Sequence, residues 1–118
     1  MAIRSRMTQD RRSISRVITR LDCEFSYQGI SHEAVIVDLS FNGAFLSSKF
    51  LPPTNSLIAV TLKTPLLNKP LTLEGKVLRG GSGFSEHGRV DRFGIKFGDT
   101  SLDIVQLIGK LIAKQGAV

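Results

Sequence analysis

Cysteine occurs once in the 118 residues, as Cys23, and tryptophan does not occur. A single cysteine excludes an intrachain disulfide and any cysteine-built zinc site. The two histidines, His32 and His87, are far apart, and neither has a Cys or an acid at metal-ligand spacing. Both are expected in loops or on the surface, and no metal is expected. The carboxylates are scattered, so nothing pairs them for acid–base work, and no Cys–His nucleophile pair is suggested. The pattern does not point to an enzyme. No apolar run approaches the ~18 residues of a membrane-spanning helix, and the N-terminus lacks the apolar core of a secretory signal. The expectation is a reduced, cytoplasmic protein without membrane insertion.

The apolar fraction is 42%, that of an ordinary folded domain, and the length suits one core. The net charge of +6 is unevenly placed. Residues 1–20 hold six arginines against Asp10 alone, whereas the other 98 residues hold ten cations and nine anions. The excess therefore sits on an N-terminal arm, residues 1–18, which has no repeat and no core face. A charged terminus of this kind is either a solvated tail or an arm for a polyanion.

From residue 19 the pattern is that of a β domain, residues 19–118. "LDCEFSYQ" alternates, placing Leu21, Cys23, Phe25 and Tyr27 on one face, which is the period of a half-buried strand. Cys23 reads as a small core residue. Gly29 marks a turn, and "EAVIVDLS" follows as a second strand. Asn42-Gly43 signals a tight turn with positive φ, and residues 44–47 a short strand. "SLIAVTLKT" and "LTLEGKVLR" are further strands, "GGSGFSEHG" a flexible glycine-rich connection, and "RVDRFGIKF" the last strand. That connection begins as G-x-G-x-x-G, but Glu86 stands at the third glycine and no helix follows, so the phosphate-loop reading fails.

Residues from about 100 to 115 have helical spacing. Thr100 or Ser101 can cap the start, Asp103 suits the first turn, and Lys110 and Lys114 suit the last. The polar face is narrow, and the apolar positions cover more than half the circumference. Either the helix lies deep in a groove, or it carries a partner surface. Strands first and helix last predict an all-β fold with a C-terminal helix: a six-stranded antiparallel barrel with the helix packed on it.

Two motifs carry the functional reading. Arg12 and Arg16 form R-x-x-x-R on the arm, just before the first strand, and Asp38, Ser40 and Gly43 form D-x-S-x-x-G where the second strand ends. Each alone is modest. Together, in this order and followed by "FGIKF" and a terminal helix, they resemble the PilZ domain, the bacterial receptor module for cyclic diguanylate (c-di-GMP). The resemblance spans roughly residues 10–112. It implies that Arg12 and Arg16 grip the dinucleotide from the arm while Asp38, Ser40 and Gly43 hold it from the barrel. Arg11 is similar to an extra arginine in members that take up a stacked ligand dimer.

These residue types suit the ligand. A guanidinium fork matches two phosphate oxygens or the O6/N7 edge of guanine, which lysine cannot do. A carboxylate accepts from guanine N1 and N2, and glycine lets the backbone approach a flat ligand. The expected function is a c-di-GMP receptor, with no cofactor, whose arm orders over the ligand and signals to an unidentified downstream protein, as a monomer or a dimer. The alternatives are a nucleic-acid-binding β-barrel and a PilZ-like adaptor without ligand binding. DNA is not expected, because charge beyond the arm is nearly balanced and few aromatics are available for stacking. Arg79 is a possible extra contact and Phe41 a possible stacking surface, although strand-end solvation and turn packing are their commoner fates.

Overall fold

The computed structural model describes residues 16–86, 88–98 and 101–116. Six strands are formed: β1 (Arg16–Tyr27), β2 (Ile30–Ser40), β3 (Gly43–Ser48), β4 (Leu57–Leu62), β5 (Leu71–Ser85) and β6 (Gly88–Phe97). One helix, α1 (Leu102–Gly116), follows them. The strands close into a ring in the order β1-β2-β3-β6-β5-β4, and every neighbouring pair is antiparallel. This is the predicted class, six antiparallel strands and a C-terminal helix.

Alternation decides which side chains point inward. Leu21, Cys23 and Phe25 of β1, Ile58, Val60 and Leu62 of β4, and Phe93, Ile95 and Phe97 of β6 are all buried, and they belong to one core. Fully burying a residue such as Phe25 or Phe93 stabilises the fold by roughly 1.5–3 kcal/mol. Burial pushes the Cys23 thiol up to about 12, with smaller contributions from the charges of Asp22 and Glu24. Its sulfur is held as an uncharged thiol in the core.

The arm ends earlier than its charge pattern indicates. Arg16, Val17 and Ile18 are already strand, paired with Ser40, Leu39 and Asp38. Val17 is buried while Arg16 and Ile18 are exposed, so one inward residue between two outward ones begins the alternation. The rest of the predicted arm, with Arg11 and Arg12, lies outside the described residues.

Two turns differ from expectation. Gln28 and Gly29 both adopt positive φ, 51° and 78°, and close the β1–β2 hairpin, as a two-residue turn of matching twist requires. Asn42 and Gly43 do not. Ser40 pairs with Gly43, so the turn is Phe41–Asn42 and Gly43 is the first residue of β3. Gly43 is needed for another reason: a Cβ there would lie 2.5 Å from the Ile95 carbonyl oxygen of β6.

The glycine-rich connection is not a loop. β5 runs to Ser85 and pairs with β6 as far as Ser85 opposite Gly88, with a register shift between Val77 and Gly80. Gly80 permits that shift, since a Cβ would meet Leu51 Cδ1, the Arg92 carbonyl and Phe93 Cβ, all within 2.8 Å. His32 is likewise not in a loop. It sits in β2 and stacks on Phe50 at 4.2 Å, beside Phe25. His87 lies outside the described residues.

Ser101 caps α1, its Oγ accepting from Ile104 N at 3.1 Å. Ile104, Leu107, Ile108 and Leu111 join the core, whereas Leu102, Val105 and Ile112 remain exposed. The helix therefore rests on the ring by one stripe and is not sunk in a groove. Two polar contacts hold it: Lys110 Nζ donates to the Leu66 carbonyl at 2.8 Å, and Gln115 Nε2 to the Ile18 carbonyl at 2.7 Å. Lys110 thus reaches the loop after β4, and does not merely face the helix end.

Candidate functional site

The β1–β2 pairing brings the two motifs together. Arg16 opens β1 directly opposite Ser40, and Asp38 lies opposite Ile18. The next hairpin adds Gly43, opposite Ser40 across β2–β3. Arg16, Asp38, Ser40 and Gly43 line one open cleft of about 360 Å³ on the outside of the ring. Arg11 and Arg12 lie outside the described residues, so the cleft contains four of the six sequence-predicted ligand residues.

Arg16 and Asp38 form an ion pair. Arg16 Nη2 donates to Asp38 Oδ2, and Nε lies 3.4 Å from Oδ1. The Asp38 side chain is 12% exposed and that of Arg16 57%, so the carboxylate is sunk and the guanidinium caps it from solvent. The hydrogen bond to Asp38, followed by its charge, raises the Arg16 pKa, and desolvation only partly opposes this. Guanidinium carries five N–H donors. Three of those donors are not directed at Asp38, and the carboxylate keeps lone pairs for a further donor.

Ser40 fixes the turn. Its Oγ lies 3.1 Å from both Asn42 Oδ1 and the Gly43 carbonyl oxygen, and its single hydrogen can serve one of them at a time. The Asn42 carbonyl accepts from Phe97 N at 2.8 Å, which ties the turn to the end of β6. The hairpin is therefore held from two sides.

Sequence reading did not find Asn42, Phe45, Leu78, Gly94 and Lys96 as part of this cleft. Phe45 and Leu78 are partly exposed, and both reach the position a Cβ on Gly94 would take, Leu78 Cδ1 at 3.7 Å and Phe45 Cδ1 at 3.8 Å. They form an apolar part of the cleft lining, with Phe45 the cross-strand partner of Asp38. Lys96 pairs with Gly43 across β3–β6. The missed signal was the outward position of Phe45 between buried Ala44 and Leu46, and of Gly94 and Lys96 between buried Phe93, Ile95 and Phe97. Arg79, exposed on β5, does not line the cleft, and Phe41 packs against the core.

Among the described residues, no cluster of three or more His, Cys, Asp or Glu could hold a metal ion, and no helix is long and apolar enough to cross a membrane.

Comparison with known proteins gives a consistent result. The family model of the PilZ domain matches residues 10–114. No curated protein matches the chain. Among solved structures, the chain is similar to the Bacillus subtilis inhibitor of motility MotI/DgrA, at 12% identity and a TM-score of 0.65, covering 86% of this chain and 49% of that one. It is similar to the PilZ domain of Escherichia coli YcgR with c-di-GMP, at 11% identity and a TM-score of 0.66, covering 85% of this chain and 90% of that one. It is also similar to Borreliella burgdorferi PlzA in complex with c-di-GMP, at 17% identity and a TM-score of 0.60, covering 93% and 49%. The chain thus spans about half the length of the MotI and PlzA chains. At these identities the structures establish the fold, and the family match covers most of the sequence: the chain belongs to the PilZ domain family.

Proposed function

We propose that this domain is a receptor for c-di-GMP, that Arg11, Arg12, Arg16, Asp38, Ser40 and Gly43 hold the ligand, and that no cofactor takes part. The observation that carries the reading is the convergence of Arg16, Asp38, Ser40 and Gly43 in one cleft at the point where the basic arm meets the ring. Two structural neighbours, the YcgR PilZ domain and PlzA, were solved with c-di-GMP.

The chemistry follows from the ion pair. Asp38 accepts from the N1 and N2 hydrogens of a guanine, while Arg16 keeps donors for phosphate or for the O6/N7 edge. Because Arg16 already lies against Asp38, part of the ordering cost is met before ligand arrives. Phe45 and Leu78 offer an apolar wall to the flat base. Arg11 and Arg12 precede this cleft by a few residues and supply the second side of the clasp. Folding of that arm over the nucleotide creates a surface that a downstream cytoplasmic protein can read. One neighbour, MotI/DgrA, is described as an inhibitor of motility.

Calorimetry with c-di-GMP and a control cyclic dinucleotide tests the reading. Wild type is expected to bind c-di-GMP selectively. Arg12→Ala and Asp38→Ala should each lose on the order of 1.5–3 kcal/mol, as for a deleted charged hydrogen-bond partner. The heat also gives the stoichiometry, one molecule or a stacked pair. Equal binding of both dinucleotides, or full affinity in Asp38→Ala, rejects the assignment. Arm ordering is checked by hydrogen exchange of residues 1–15, where unchanged protection at saturating ligand rejects the switch.

A further inference from the structure

The β5–β6 hairpin overruns the ring. β4 pairs with β5 over Leu71–Lys76 only, and β3 pairs with β6 only as far as Asp91. Beyond those points the two strands continue as a ribbon, with Gly83 opposite Val90 and Phe84 opposite Arg89. Among the described residues, Gly80–Phe84 make no backbone hydrogen bond on the side away from β6. That side is a bare strand edge, and such an edge is a template for another strand. The usual guards are missing, since Gly80, Gly81, Ser82, Gly83 and Phe84 include no proline and no charge. Phe84 is 88% exposed, the most solvent-covered large apolar side chain among the described residues.

We propose that this edge pairs antiparallel with the same edge of a second copy of the chain, forming one continuous sheet through a twofold axis at Ser82. Directly opposed residues in an antiparallel pair share a face. With Ser82 opposite Ser82, Phe84 of each copy stands against Gly80 of the other. The space over Gly80 is already filled by Leu51, whose Cδ1 lies 2.6 Å from where a Cβ would be, so the Phe84 ring packs on the Leu51 side chain. The edge is self-complementary in charge as well. Arg79 stands at one end and Glu86 at the other, so antiparallel docking brings each arginine toward the opposite copy's glutamate. No cleft residue lies on this edge, so the pairing is independent of ligand binding.

Sedimentation of the full chain tests it, from low micromolar to about 1 mM. The expected result is a monomer–dimer equilibrium that shifts toward dimer with added salt, because two copies of net charge +6 repel and salt screens that repulsion. Phe84→Lys, at a side chain with almost no packing to lose, should raise the dimer dissociation constant at least about tenfold. Ser82→Cys should cross-link to itself under mild oxidation, because Cys23 is buried and the two new thiols face each other across the axis. A monomer at every concentration overturns the proposal. So does a dimer indifferent to Phe84→Lys, and so does protection, in a monomer, of those Gly80–Phe84 amides that point away from β6, which would mean the chain covers its own edge.

Discussion

Two hairpins of this domain use glycine in opposite ways. In the β2–β3 hairpin, Gly43 lies under the Ile95 carbonyl and the turn is tied to β6 through Asn42. Ser40 Oγ lies against Asn42 Oδ1 and the Gly43 carbonyl there, and the cleft opens beside it. In the β5–β6 hairpin, Gly81 and Gly83 have nothing within 4 Å of a would-be Cβ, and the ribbon stands clear of the ring. The same residue type is a packing requirement in one place and an unfilled position in the other. A glycine in a sequence therefore does not reveal whether it marks crowding or openness.

Substitutions sharpen the contrast, and the largest effect belongs to the crowded hairpin. Gly43→Val should destabilise the ligand-free domain by about 3 kcal/mol in urea unfolding, because the added atoms meet backbone that cannot yield. Gly80→Ala, which meets Leu51, Arg92 and Phe93, should cost about 2 kcal/mol, since the Leu51 side chain can give way but the Arg92 carbonyl cannot. Gly80 sits where the β5–β6 ribbon leaves the ring, before the open Gly81 and Gly83, so if either variant is as stable as wild type the crowding argument fails at that glycine.

The ring core that both hairpins share provides a pH-dependent prediction, intermediate in size for each pH unit. The Cys23 thiol ionises near 9.0 when unfolded and is pushed up to about 12 when folded. The folded state therefore holds this proton more tightly. Its contribution is fully present below pH 9 and is lost as pH rises toward 12. Relative to Cys23→Ala, wild type should lose about 1.4 kcal/mol per pH unit over that window, measured as unfolding free energy at several pH values. Parallel curves for the two proteins reject the assignment. The smallest effect is expected on the open ribbon. Gly81→Ala, at an ordinary backbone conformation with free space around it, should gain about 0.4–1 kcal/mol by restricting the unfolded chain. A loss of stability there would mean that the ribbon packs against something.

The strands with a core face were legible because period-two alternation is a local signal. β1, β4 and β6 each announce their inward residues, and the capped helix announces its own limits. The site was legible only in part. Arg16, Asp38, Ser40 and Gly43 could be placed by motif, since the β1–β2 and β2–β3 hairpins are local. Phe45, Leu78, Gly94 and Lys96 could not, because the cleft needs β3 beside β6 and β5, and strand adjacency across the ring depends on closure. The ribbon was misread as a loop because Gly80–Ser85 lacks a core face. Backbone pairing to β6 holds it as strand, and pairing leaves no trace in side-chain periodicity.

The bond from Phe97 N to the Asn42 carbonyl has a mechanical consequence. Phe97 is the last residue of β6, shortly before the Ser101 cap that launches α1. The rim of the cleft and the root of the helix are thus fastened at one point. The rim cannot be displaced outward without either stretching that fastening or dragging the end of β6 along with it.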